Sequence, residues 1–122
     1  MKLRIRGDSL RFRLTRGEAS KLADRVKVSE SVHFSSSSKD ILTYSVEASD
    51  SITKLAALIE NGNILVMVPA SLVQSWIDTD QVGIEDTQPI TADRKLRILI
   101  EKDFQCLQGR TEEDEADNFP HP

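Results

Sequence analysis

The chain has 122 residues, 39% of them hydrophobic, and 16 lysines and arginines against 20 aspartates and glutamates give a formal net charge of −4. That length suits one domain and leaves little material for a second independent core. The negative balance gives no general reason to bind nucleic acid or anionic membrane. The lone Cys106 excludes an intrachain disulfide, and no apolar run approaches the length of a membrane span, so the expected compartment is the cytosol.

Residues 2–6 alternate, with Leu3 and Ile5 on one side and Lys2, Arg4 and Arg6 on the other, which is the pattern of a half-buried strand. Gly7-Asp8-Ser9 reads as a tight turn, and residues 10–14 alternate again with Leu10, Phe12 and Leu14 inward, so the two stretches form a hairpin. Thr15 and Glu18 make a T-x-x-E capping box, which starts a short helix to about Arg25 with Ala19, Leu22 and Ala23 on its apolar side. Residues 28–34 predict a strand with Val28, Val32 and Phe34 in phase. Residues 35–38 are a serine connector, and residues 41–47 predict a fourth strand carrying Leu42, Tyr44 and Val46.

The second half follows the same order. Residues 53–60 predict a strand with Leu55, Ala57 and Ile59 in phase. Asn61-Gly62 supplies a turn whose residues tolerate positive φ, and Ile64, Val66 and Val68 mark the returning strand. Pro69 opens a helix with Val73, Trp76 and Ile77 on its apolar side. Val82 and Ile84 mark a short strand, residues 87–94 read as a loop around Pro89, and Leu96, Ile98 and Ile100 form the last strand.

Sliding the chain by about 54 residues sets Ile5 on Ile59, Phe12 on Val66, Val28 on Val82, Tyr44 on Ile98 and Glu47 on Glu101. The expected fold is therefore α+β: a tandem duplication of a ββαββ unit, with repeats at about 1–49 and 53–103. Each unit alone is too small to bury its strand faces, so the two are expected to share one core. The mostly antiparallel sheet would close into a barrel-like, pseudo-two-fold core with two short helices. Residues 1–104 form the expected globular domain and residues 105–122 a flexible acidic tail, in which Glu112, Glu113, Asp114, Glu115 and Asp117 stand against Arg110.

Two resemblances attach to these residues. The opening KLRIRGDSLRFRL with the ending EKDFQCL…TEEDEADNFPHP resembles a small family of uncharacterised bacterial proteins, which implies no activity. More weakly, Arg6-Gly7-Asp8-Ser9 with residues 10–14, and residues 66–72 with 80–84, resemble the swapped-hairpin unit of AbrB and MazE type regulators and antitoxins. That resemblance implies interleaved hairpins and a nucleic-acid-binding face. Thr15 stands where that unit commonly carries proline, and the loops at residues 35–39 and 87–94 are long.

Alternation puts Lys2, Arg4, Arg6, Arg11 and Arg13 on one face of the first hairpin, a candidate surface for nucleic acid or another anion. The same residues also fit a solvated edge protected by charge, or a face covered by the acidic tail. Leu58, Leu65, Met67 and Leu99 occupy outward positions in the second half and are the candidate partner-binding patch, for another protein or a second copy of the chain. Phe119 in the tail is a candidate anchor onto an apolar patch. Cys106, His33 and His121 lack the close ligand pairs of a zinc site, so neither metal nor cofactor is expected. No glycine-rich phosphate loop, G-x-S-x-G elbow or H-E-x-x-H helix occurs. Glu47 and Glu101 are the remaining pair with acid–base potential across the pseudo-two-fold, for a small metal-dependent enzyme. The leading expectation is a non-catalytic binding or interaction module, in its specific form an antitoxin-like nucleic-acid-binding regulator.

Overall fold

A computed structural model describes residues 1–104 and 117–120. Along the chain run β1 (Lys2–Ile5), β2 (Ser9–Leu14), α1 (Arg16–Ala23), β3 (Val28–His33), β4 (Ile41–Ser49), β5 (Ala56–Glu60), β6 (Asn63–Pro69), α2 (Ala70–Asp78), β7 (Gly83–Thr91) and β8 (Arg94–Lys102). The strands form two mixed four-stranded sheets, ordered β1-β2-β8-β7 and β3-β4-β6-β5. Each sheet joins a hairpin from the first half of the chain to one from the second through a central parallel pair, β2 with β8 and β4 with β6.

Local chemistry sets most element boundaries. Gly7 has φ 54°, and the Arg6 amide donates to the Ser9 carbonyl at 3.1 Å to close the first turn. Asn61 and Gly62 both take positive φ, 49° and 76°, as a two-residue hairpin turn requires. A Cβ at Gly62 would lie 2.8 Å from the Ile41 carbonyl oxygen, so the turn needs glycine for space as well as for dihedral freedom. The capping box at α1 is formed: the Glu18 amide donates to Thr15 Oγ1 and the Thr15 amide to Glu18 Oε1.

One interior serves both sheets. Phe12, Leu14, Ile98 and Ile100 from one and Val46, Val66 and Val68 from the other are buried against Leu22 of α1 and Val73 and Trp76 of α2. The helices also pack against each other. Trp76 is fully buried, yet its indole N–H donates to the Val82 carbonyl at 3.0 Å, so its one polar atom is satisfied.

Three expectations change. The sheets do not close into a barrel, and edges remain at β1, β7, β3 and β5. The physical reason at one seam is a side chain. The Gln88 amide on β7 accepts from the Ala57 N–H at 2.8 Å and donates to the Ala57 carbonyl at 2.9 Å, taking the backbone groups that an adjoining strand would use. At the β1/β3 seam the amino group of Met1 donates to Glu18 at 2.7 Å and Glu30 at 3.1 Å, and Tyr44 donates to the other Glu30 oxygen at 3.1 Å.

The predicted loop over residues 87–94 is instead mostly strand, because β7 runs to Thr91. Proline is tolerated there since β7 is an edge strand, with a register irregularity between Pro89 and Thr91. Finally, Val82 lies before β7 and is exposed. Ile84 is the buried residue facing Ile100, as Val28 faces Val46, so the gapless slide is two positions out at that strand. Several residues in phase with the core also lie beyond its reach, namely Ile5, Val32, Phe34 and Ile59, all exposed.

Candidate anion-binding face

Strand alternation turns Leu3 and Phe12 inward and leaves Lys2, Arg4, Arg11 and Arg13 on the outer side of β1 and β2. Antiparallel register sets Lys2 opposite Arg13 and Arg4 opposite Arg11, two like-charged pairs in adjacent strands. On the other flank the parallel pairing brings Leu99 beside Arg11 and Glu101 beside Arg13. Glu101 answers the repulsion. Its Oε1 accepts from Arg11 Nε at 2.5 Å and from Arg13 Nε at 2.8 Å, and the residue is only 8% exposed. Lys2 Nζ pairs with Asp103 Oδ2 at 3.1 Å. Lys2, Leu3, Arg4, Arg11 and Arg13 line a concavity of about 160 Å³. Opposite Glu101 stands Gly83, where a Cβ would meet the Ile100 carbonyl oxygen at 2.9 Å and the Glu101 Cβ at 3.2 Å.

Four of the five cations singled out from the sequence thus share one face. Arg6 does not: β1 ends at Ile5, and Arg6 sits in the turn. Of the apolar set, Leu58 faces Leu65 and Ala56 faces Met67 on the outer side of β5 and β6. Leu99 lies on the other sheet, between Arg11 and Glu85, because the second-half hairpins are divided between the two sheets. Glu47 and Glu101 are likewise on different sheets and do not form a carboxylate pair. His33 is exposed at the end of β3. Cys106, His121 and the acidic run at residues 112–115 lie outside the described residues. Among the described residues no cluster of three or more His, Cys, Asp or Glu is placed to hold a metal. Phe119 is 98% exposed and docks on nothing described.

Sequence reasoning found the cations but missed their counter-ions. Glu101 and Asp103 are about ninety residues away along the chain, and only the β2/β8 pairing brings them in. The outward phase of Glu101 beside Leu99 was the one available signal.

Away from this face, a second cavity of about 310 Å³ opens where α1 begins, between Leu14, Thr15, Ala19, Ile77, Lys102 and Phe104. Titration is perturbed at the β1/β3 seam. Burial disfavours the charge on the Met1 ammonium, but hydrogen bonds and attraction from Glu18 and Glu30 outweigh it and raise its pKa. For Glu18, burial favours the neutral acid, but the ammonium, the Thr15 amide and the Thr15 hydroxyl more than offset this, so its pKa is lowered. Burial, followed by its bond to Glu30, raises the pKa of Tyr44.

The fold and face together define an α+β protein of two mixed sheets sharing one core, with a cluster of cations on the outside of one sheet. The chain belongs to a family described as "Family of unknown function (DUF7009)", matched over residues 1–122, in keeping with the resemblance to uncharacterised proteins. No curated protein and no solved structure matches it, so the likeness to the AbrB and MazE unit has no support from these comparisons.

Proposed function

We propose that the protein is a non-catalytic binding module that takes a nucleic acid on the outer face of the β1-β2-β8-β7 sheet. The observation that carries this reading is the concavity lined by Lys2, Arg4, Arg11 and Arg13, with two like-charged pairs set directly across the β1/β2 ladder. Among the described residues, one carboxylate, Glu101, serves both Arg11 and Arg13, so the pair retains an excess of positive charge. A phosphate backbone answers that excess and releases its own counter-ions. The test is duplex and single-strand binding by the full chain across a salt series. Association at low salt that weakens steeply with added salt, by about 0.9 in log K per decade for each phosphate contacted, supports the reading. No association even at low salt removes it.

A second reading uses the other sheet. Leu58 is 43% exposed and lies against Leu65, next to the Ala56–Met67 pair, which favours a protein partner on that face. Sedimentation of the chain alone tests whether that partner is a second copy.

The duplication belongs with this proposal. In its favour, Leu10 pairs with Ile98 and Ile64 with Tyr44, and the displacement of 54 that carries Leu10 to Ile64 carries Tyr44 to Ile98. We also propose that residues 1–104 fold as one unit with residues 105–122 appended, which limited proteolysis tests, and that the module acts in the cytosol.

A further inference from the structure

The concavity on the first hairpin invites a sharper assignment of what it holds. Its volume, about 160 Å³, is well below the roughly 300–1,000 Å³ of pockets that enclose whole small molecules, so it suits a single anionic group and not a whole nucleoside. Its walls are cationic. Lys2 and Arg4 come from β1 and Arg11 and Arg13 from β2, with Leu3 completing the lining.

Two features go beyond simple positive charge. Arg11 and Arg13 both reach Glu101 through Nε, and both use the same oxygen, Oε1. A guanidinium has five N–H donors in a planar fork, so spending Nε on Glu101 retains the terminal Nη groups for a second acceptor. Glu101 is buried and therefore holds the two forks in fixed positions without covering them. Solvent reaches them, the Arg11 side chain being 26% and the Arg13 side chain 40% exposed. A pair of forks held by one carboxylate matches a tetrahedral oxyanion, whose several oxygens accept from different donors at once.

We propose that this concavity is a seat for one phosphate group, with Arg11 and Arg13 as its main ligands and Glu101 as the positioning residue behind them. The inference rests on the reading of this face as anion-binding. The phosphate belongs either to a nucleic-acid backbone or to a small phosphomonoester, and the two sources share the same recognition chemistry.

The experiment follows the Arg Nε–Hε resonances of the full chain during titration with inorganic phosphate at constant ionic strength, with chloride as the control. The expected result is a joint shift of Arg11 and Arg13 that follows one single-site saturation curve, with one shared Kd, and is absent with chloride. Arg13→Lys keeps the counter-charge for Glu101 and so preserves the fold, which circular dichroism checks. Losing the fork should weaken phosphate binding by about five-fold or more. No saturable shift, or a smaller loss in Arg13→Lys, overturns the seat.

A parallel titration with duplex and single strand separates this inference from the broader one. Salt-dependent duplex binding without phosphate saturation sinks the seat and spares the nucleic-acid reading. Phosphate saturation with neither duplex nor single-strand binding keeps the seat, assigns it to a phosphomonoester and sinks the nucleic-acid reading. Competition between the two ligands supports both.

Discussion

On the outer side of β2, Arg13 stands between Lys2 and Glu101, and in the other sheet Met67 stands between Ala56 and Glu47 at the same place in the register. One step inward the paired positions are Phe12 and Val66, both fully buried. The interiors of the two sheets agree in character because both must pack against the same helices. The exteriors face different surroundings and differ in character. Glu101 is buried beneath two arginines, while no cation contacts Glu47 among the described residues. One architecture thus carries a charged face and a largely uncharged one, and the difference lies in the outward residues.

The largest effect expected from probing this comparison is in the shared interior. Phe12→Ala should cost about 3–5 kcal/mol and Val66→Ala about 2 kcal/mol, the gap reflecting the volume removed. Chemical denaturation of both variants should give a single transition. Separate transitions for the two sheets would break the idea of a common core.

Next in size is the contrast between carboxylates. Glu101→Ala removes the acceptor shared by Arg11 and Arg13, neighbours on one face of β2, and should cost about 1–2 kcal/mol, reduced from the value for a fully buried pair because both arginines reach solvent. Glu47→Ala should stay within about 0.5 kcal/mol. Equal effects in denaturation would show that the two faces are energetically alike.

The two seams offer a finer contrast. Gln88→Leu removes both bonds to Ala57, strands that amide and carbonyl, and should cost about 1 kcal/mol, with faster hydrogen exchange at the Ala57 amide as the specific readout. Unchanged exchange at Ala57 would mean that the side chain does not hold that edge.

The smallest effect is on the pH dependence of the opposite seam. Glu18 has a lowered pKa, so its contribution is present above its ordinary value of 4.5 and is lost as pH falls through the lowered value. The Met1 ammonium has a raised pKa, so its contribution is present below its ordinary value of 8.0 and is lost as pH rises through the raised value. Stability from this contact should therefore be fullest between those limits, with an amplitude below about 1 kcal/mol because the cluster is only partly buried. Glu18→Gln should reduce the acid-side dependence in a pH series of thermal melts by this contact's share. The Gln88 seam, lacking a titrating group, should show none.

How much was legible in the chain follows from the range of the interactions involved. Alternation in residues 2–14, the Asn61-Gly62 turn, the Thr15–Glu18 box and the apolar side of α2 are local patterns whose causes lie within a few residues. They determined the strands, turns and helices, and placed Lys2, Arg4, Arg11 and Arg13 on one face. Only the tertiary structure decided that β2 lies parallel to β8 and β4 to β6, that Leu99 leaves the apolar patch for the charged sheet, and that Glu101 sits under two arginines. A parallel pair joins strands with no shared turn, so nothing local in the sequence encodes it. The choice emerges from how the two halves fill a single interior.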